Sequence, residues 1–255
     1  MKKISWYYKR IIFFFKKKIN IDSDLFIFDN LNELFNHYGS DKGTIINHPY
    51  SKKGEKITGH SFGDFYEKFF FKFKDDKFNF LEIGTWKGAS LAAFNKYFIN
   101  ASIYGIDRNY KIQYKSNKLK YYNCDTTDNS DLRNIEKKFG NIKFRIIIDD
   151  GSHFLNDIIH NLKFFFRFVE SGGLYVIEDF KHPELFKHLN DSDNNELIIT
   201  ELIEKLKKKE FFLSKILTKE DQLSLINNIK TISTYKGTMI NNKINLSHVV
   251  FFEKI

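Results

Sequence analysis

The chain has 255 residues, a formal net charge of +9 and a single cysteine. That length supports one α/β domain with a full core and an appendage. The longest apolar run, Ile11–Phe15, falls far short of the roughly 18 residues of a membrane span, and Lys16-Lys17-Lys18 breaks the only stretch resembling a signal peptide. One cysteine excludes an intrachain disulfide and leaves the cytoplasm as the expected compartment. Residues 1–20 hold six Lys, one Arg and no acid, so the rest of the chain carries only +2. A nucleic-acid binder would spread such charge over its fold, and none is expected as a partner.

Residues 1–20 place Ile4, Tyr8, Ile11, Ile12, Phe15 and Ile19 at helical spacing among basic residues. This is the pattern of an amphipathic helix lying on its own domain, on a second subunit, on a partner protein or on the inner face of a membrane. Asp29 or Asn30 can cap a short helix, Leu31–Tyr38, which Gly39 ends. Tyr38-Gly39-Ser40-Asp41-Lys42-Gly43-Thr44 opens a loop that runs to about Gly59, and His60 to Tyr66 leads into an aromatic helix reaching about Lys74.

Asn79 to Ser90 reads as a strand, a glycine turn and a helix start. Gly84 and Gly88 let the backbone approach a ligand closely, and the free N–H groups of the new helix favour an anionic group. The spacing is not that of the dinucleotide fingerprint, which disfavours a dehydrogenase. The next strand, Ser102–Ile106, ends in Asp107, where an acid commonly binds a ribose diol; a third, Lys120–Asn123, ends near Asp125.

Phe144–Ile148 is an apolar strand that ends in Asp149-Asp150-Gly151-Ser152-His153. An amphipathic run, Phe154–Val169, follows, and Gly172-Gly173 turns the chain into Leu174–Ile177, which ends in Glu178-Asp179. Strand, helix and strand form a βαβ unit with parallel strands. Both acidic ends, with His153 projecting from the first turn of the helix, then reach one crevice at the carboxyl edge of the sheet. Asp149 and Ser152 also read as caps of the following helix. His160 and His182 read as surface or packing residues, while His60 could reach the site. Beyond Phe180, residues 195–227 read as helical. Lys230–Ile240 and His248–Glu253 read as an antiparallel pair at the sheet edge, separated by Asn241-Asn242.

Taken together, these residues resemble the class I S-adenosylmethionine-dependent methyltransferases. Glu82, Gly84 and Gly88 match their acid-x-Gly-x-x-x-Gly motif, and the last two strands resemble their closing hairpin. More narrowly, the chain resembles the metal-dependent sugar O-methyltransferases that modify macrolide sugars and glycolipid rhamnose. The likeness lies in Tyr38 to Thr44, His60-x-Phe62-x-x-x-Tyr66, Asp149 to His153 and Ile177-Glu178-Asp179. It departs at Phe62, where the family usually has Tyr, and in the insert between Thr44 and His60.

The resemblance implies an α/β, Rossmann-like domain over residues 29–255, with a mostly parallel seven-stranded sheet and a C-terminal antiparallel hairpin. A basic, helical N-terminal extension, residues 1–28, precedes it. It implies S-adenosylmethionine held by Glu82, Gly84, Thr85, Gly88, Ser90, Asp107 and Asp125, with Asp41 and Lys42 alongside. It implies Mg2+ or Mn2+ on Asp150, Glu178 and Asp179, and His153 as the base, so that His153 and Asp150 are the catalytic pair. The chemistry agrees, because a hydroxyl with a pKa near about 16 is a poor nucleophile until a bound cation acidifies it. An imidazole can then take its proton near neutral pH. All-oxygen ligands favour magnesium or manganese over zinc. The expected acceptor is a carbohydrate, nucleotide-linked or not, such as a heptose or deoxyhexose of capsule, lipooligosaccharide or another glycoconjugate. A homo-oligomer is also expected. Two other readings stand beside this one, a hydroxylase-like relative and a non-catalytic Rossmann binding protein.

Overall fold

The computed structural model describes residues 17–46, 57–109, 111–190 and 196–255. Its centre is a seven-stranded sheet. The strands are β1 (Asn79–Ile83), β2 (Ser102–Asp107), β3 (Leu119–Asn123), β4 (Phe144–Asp149), β5 (Val169–Glu178), β6 (Ile229–Lys236) and β7 (His248–Lys254), in the spatial order β6-β7-β5-β4-β1-β2-β3. The pairs from β3 to β5 are parallel, and β7 runs antiparallel to both of its neighbours.

Among the described residues, seven helices of eight residues or more accompany the sheet: α1 (Leu31–Tyr38), α2 (Gly63–Phe70), α3 (Ala89–Tyr97), α4 (Asn129–Phe139), α5 (Leu155–Phe165), α6 (Ile199–Lys207) and α7 (Lys219–Asn228). The central strands bury both faces, which is why they read as unbroken apolar runs. Ile147, Tyr175 and Phe252 face a core shared with α4, α5, α6 and α7. Their neighbours Ile146, Ile148, Val176 and Phe251 face the other layer, built on α1, α2 and α3. Burying each large apolar side chain contributes about 1.5–3 kcal/mol, so the strand alternation locks the register that aligns the strand ends.

Several boundaries differ from the sequence reading. α5 stops at Phe165, a tight turn spans Phe166–Phe168, and β5 has begun by Val169. Gly172, at φ 71°, and Gly173 therefore lie inside β5, where the register jumps from Phe144↔Val169 to Ile146↔Leu174. They form a bulge rather than a turn into the strand. The helical region after residue 195 is two helices. From the second of them the Gln222 side chain reaches back to the connection, accepting the Phe212 N–H and donating to the Phe212 and Leu217 carbonyls, satisfying backbone that a continuous helix would have paired internally. Thr218 and Asp221 then form a capping box that starts α7. In the hairpin, β7 lies between β5 and β6, and the turn falls at Asn242-Lys243, both at positive φ, between Ile240–Asn241 and Ile244–Asn245.

Residues 1–16 of the amphipathic segment lie outside the described residues. Within its remainder, Ile19–Asn20 is extended and pairs with Tyr114–Lys115, and Ile21 is fully buried. Asp22 accepts from the Ser116 hydroxyl at 2.6 Å and the Asn117 N–H at 2.9 Å, anchoring this stretch beside β3. Among the described residues no helix is long and apolar enough to cross a membrane.

The register sets the site. Ile83 pairs with Ile106 and with Asp149, and Asp149 pairs with Ile177. The next residue on each parallel strand is Gly84, Asp107, Asp150 or Glu178, so these four form a row along one edge of the sheet.

Candidate active site

The first part of the row borders a cleft of about 640 Å³, lined by Ser40–Lys42, Gly84–Lys87, Asp107–Asn109, Asp125–Thr127 and Asp150–His153. That volume suits a nucleoside-sized ligand. Gly84 adopts φ 85°, and a Cβ there would overlap the Asp150 carbonyl oxygen, so only glycine lets the β1 and β4 ends close on each other. Asp107 accepts the Trp86 N–H at 2.8 Å and the Asn109 N–H at 2.6 Å. Each of its oxygens keeps a lone pair for a ligand hydroxyl. Asp125 accepts from the Thr127 N–H and hydroxyl at 3.1 and 2.8 Å. Glu82 is fully buried, accepts the Ser90 hydroxyl at 2.7 Å and is pushed up to about 7, chiefly by burial. Its Oε1 and the Thr85 hydroxyl lack hydrogen-bond partners among the described residues.

At the far end of the cleft the acids gather around one lysine. The loop after α1 is clasped to the segment leading into α2, with His60, Ser61 and Phe62 N–H groups donating to the Asp41, Gly43 and Lys42 carbonyls at 2.8–2.9 Å. This clasp points Lys42 inward, where it is 1% exposed. Its ammonium donates to Asp150 and, at 2.7 Å, to Glu178, and lies 3.7 Å from Glu82. Lys42 thus borders the expected cofactor cleft, yet its charge is committed to the carboxylates. The second oxygen of Glu178 accepts from the Tyr66 hydroxyl of α2.

Asp179 and His153 both adopt left-handed backbone, at φ 51° and 59°. Such conformations cost non-glycine residues about 1–3 kcal/mol each and cluster at functional sites. Asp179 Oδ1 lies 3.5 Å from His60 Nδ1, and neither atom has a hydrogen-bond partner among the described residues. His153 Nε2 is 3.6 Å from Asp150 Oδ1, and its ring meets that of His182 at 5.1 Å.

The charges do not balance. Burial works against the Lys42 ammonium, but Asp150, Glu178 and Glu82 outweigh it and hold its pKa well above the usual value. Burial raises the Asp150 carboxyl, yet Lys42 and the facing histidines bring it below the usual carboxylate range. One ammonium cannot do the same for all. Glu178 is held well up, first by burial, and Asp179 well up by burial and then by Asp150 and Glu178. The buried acids are short of a cation, and a divalent ion on Asp150, Glu178 and Asp179 would supply it by taking the place of the Lys42 ammonium that now holds Asp150 and Glu178; as they stand, the donor atoms within 4.8 Å of one another among the described residues are those of His153, Asp179 and His182. Burial lowers the pKa of His153 below that of free imidazole, keeping it neutral at pH 7.

Other residues are placed differently from the sequence reading. Asp149, the last residue of β4, turns into the core instead of the crevice. It accepts from Asn161 and Tyr175, each at 3.2 Å, and burial pushes it up to about 7. His153 precedes α5, whose N-cap position is Phe154, so left-handed backbone and not a helical turn aims its ring. Ser152 is not that N-cap; it donates to Asp157 and accepts the Phe154 N–H at 3.4 Å. His160 is exposed on α5. His182 instead touches the cluster, its Nε2 lying 3.8 Å from Asp179 Oδ2 and 3.1 Å from the Leu246 carbonyl. The signal that could have found His182 is its spacing, Asp179-x-x-His182, which repeats that of Asp150-x-x-His153. For Tyr66 the spacing His60-x-Phe62-x-x-x-Tyr66 is the one hint, since it sets Tyr66 one turn from the clasp.

No protein-family model matches the chain. It is 32% identical over 127 residues to mycinamicin VI 2''-O-methyltransferase of Micromonospora griseorubida, covering 47% of this chain and 31% of that protein. It is 32% identical over 127 residues to demethylmacrocin O-methyltransferase of Streptomyces fradiae, covering 47% and 32%. A rhamnosyl tetracenomycin-C 2'-O-methyltransferase of Streptomyces olivaceus is 31% identical over 127 residues, covering 47% and 33%. The chain thus spans about a third of the length of these curated relatives. Among solved structures it is similar to the mycinamycin-pathway methyltransferase MycE in complex with Mg and SAH, with a TM-score of 0.64 and 24% identity over 89% of this chain and 55% of that one. The fold is that of the class I S-adenosylmethionine-dependent methyltransferases.

Proposed function

We propose that this chain, a class I methyltransferase by fold, is an S-adenosylmethionine- and divalent-metal-dependent O-methyltransferase that acts on a sugar hydroxyl. The observation that carries this reading is the buried acid cluster, Asp150 and Glu178 sharing Lys42 with Asp179 in their field, beside a cleft that Asp150 and His153 line and the Glu82-x-Gly84-x-x-x-Gly88 turn opens. The relatives' names, each an O-methyltransferase and one of a rhamnosyl group, support a deoxyhexose as acceptor. A heptose, and a setting in capsule or lipooligosaccharide assembly, are narrower readings with no observation of their own in the molecule.

When bound, S-adenosylmethionine supplies the methyl group and a divalent ion supplies Lewis acidity toward the acceptor oxygen. Asp150, Glu178 and Asp179 would hold that ion, and Asp107 would accept hydrogen bonds from the cofactor ribose. Gly84 lets the cofactor lie against backbone. Lys42 keeps the buried acids together and oriented. Neutral His153 takes the proton of the acceptor hydroxyl at its free ring nitrogen, and the Asp150 carboxylate stabilises the imidazolium that results. Methyl transfer needs little beyond an in-line approach, so alignment of acceptor and cofactor by these rigid strand ends supplies much of the rate.

The test is to incubate the protein with S-adenosylmethionine, Mg2+ and a panel of free, nucleotide-linked and glycoside-linked sugars, reading mass gain. A gain of one methylene on a sugar supports the proposal. Binding of S-adenosylhomocysteine with no transfer to any sugar class points to another acceptor, and binding of NAD in its place overturns the cofactor assignment.

A further inference from the structure

Three donor groups at the end of the cleft stand apart from the all-oxygen set. His153, Asp179 and His182 each offer a ligand atom, and these atoms all lie within 4.8 Å of one another. Two imidazoles and one carboxylate suit zinc and its first-row neighbours, whereas magnesium prefers oxygen alone. We infer that His153, Asp179 and His182 form a second, overlapping cation site that takes a transition ion of the Zn2+ class and shares Asp179 with the oxygen site.

The surroundings argue the same way. Lys42 provides a positive partner for Asp150 and Glu178, but Asp179 Oδ1 is buried without a hydrogen-bond partner among the described residues. That oxygen faces His60, while Asp179 Oδ2 faces His182 Nε2 at 3.8 Å, so an ion bound through Oδ2 would neutralise a carboxylate that Lys42 does not reach. His182 follows Asp179 by three residues at the start of the short turn His182–Leu185; its Nε2, which faces Asp179, donates to the Leu246 carbonyl at 3.1 Å, so an ion taking that nitrogen replaces the carbonyl contact. His153 comes from the separate β4–α5 loop, so the donors reach the site from two directions. The His153 and His182 side chains are 23% and 14% exposed, which leaves the site open to an entering ion. Tetrahedral zinc with bonds of about 2.1 Å needs donors roughly 3.4 Å apart. Side-chain rotation of the two histidines can supply that closure, and the fourth position remains for water.

A neutral imidazole has one ring lone pair, so zinc bound by His153 through either nitrogen leaves it none to take a proton, and the ion acts as an inhibitor. That consequence rests on the function proposed above, but the binding itself does not. The test therefore uses the full-length, chelator-treated protein with Zn2+ alone, reading calorimetry and zinc K-edge absorption. The expected result is one ion with two imidazole donors. His182→Gln, which keeps an N–H for the Leu246 carbonyl, should weaken binding at least tenfold and leave one imidazole. His160→Gln, on the exposed face of α5, should change neither readout. An all-oxygen shell in the wild-type protein, or His182→Gln binding as wild type, overturns the inference, and the wild-type donor count decides it even where a variant is unstable. No methyl transfer is read, so failure here and failure of the proposed activity remain distinguishable.

Discussion

Replacing Lys42 by methionine is the most direct probe of how the site is held. The two side chains are close in length, so the change removes the ammonium and little volume from a position that is 1% exposed. Asp150 and Glu178 then lose the donor they share, and Glu82 loses a cation 3.7 Å away. Breaking a buried ion pair by removing one partner costs about 3–5 kcal/mol, because the remaining charge has no compensation. At 2–4 °C per kcal/mol for a domain of this size, melting should fall by roughly 6–20 °C in metal-free buffer at neutral pH. Protonation relieves uncompensated carboxylates, so the deficit should narrow as pH falls. Divalent ions should act likewise: millimolar Mg2+ should recover more stability in Lys42→Met than in wild type, since a cation now replaces the missing one. Differential scanning fluorimetry across a magnesium series reads both effects. A variant melting within about 2 °C of wild type, with or without Mg2+, would refute the view that Lys42 is the counter-charge of this cluster.

Other outcomes follow from the same geometry. His153→Ala should lower the turnover of a confirmed acceptor by about two to four orders of magnitude while calorimetry shows S-adenosylhomocysteine binding intact. Chelation should abolish turnover and Mg2+ or Mn2+ restore it; full activity in chelator would remove the metal from the mechanism. Asp107→Ala should weaken cofactor binding by about 1–3 kcal/mol, measured by titration calorimetry, with unchanged affinity excluding Asp107 from the cofactor site. Gly84→Ala should destabilise the protein by more than about 1 kcal/mol in urea, because its methyl meets the Asp150 carbonyl and its φ is 85°. Deletion of residues 1–16 should preserve folding and turnover, since the stretch from Ile19 to Asp22 keeps its own anchors on Tyr114–Lys115 and on Ser116 and Asn117; loss of folding would show that the deleted residues pack on the core or on a second subunit.

Much of the scaffold could be read from local pattern. Asn30, the apolar spacing of Leu31, Leu34 and Phe35, and Gly39 bound α1 where the sequence places it. β1, β2, β4 and β5 announce themselves as apolar runs closed by acid or glycine, and right-handed parallel crossovers require their ends to share one edge. Topology of that kind is a local rule repeated, so the shared edge of Asp150 and Glu178 is legible from the sequence, whereas the register that sets Gly84 and Asp107 in the same row belongs to the fold. What each side chain in the row does was not. Asp149 and Asp150 are neighbours in sequence, but strand alternation sends the first into the core beside Tyr175 and releases the second to the cleft. Lys42 is one lysine in a lysine-rich chain, and only the clasp between its loop and His60–Phe62 carries it 108 residues away to Asp150. Tyr66 and His60 likewise reach the acids from a segment far from them in sequence. Propensity and periodicity act over a few residues, whereas the pairing of buried charges depends on which distant groups share the same dry volume. The sequence alone therefore determined the sheet and the edge that carries the site. Only the tertiary structure decided which acids meet, and on which cation.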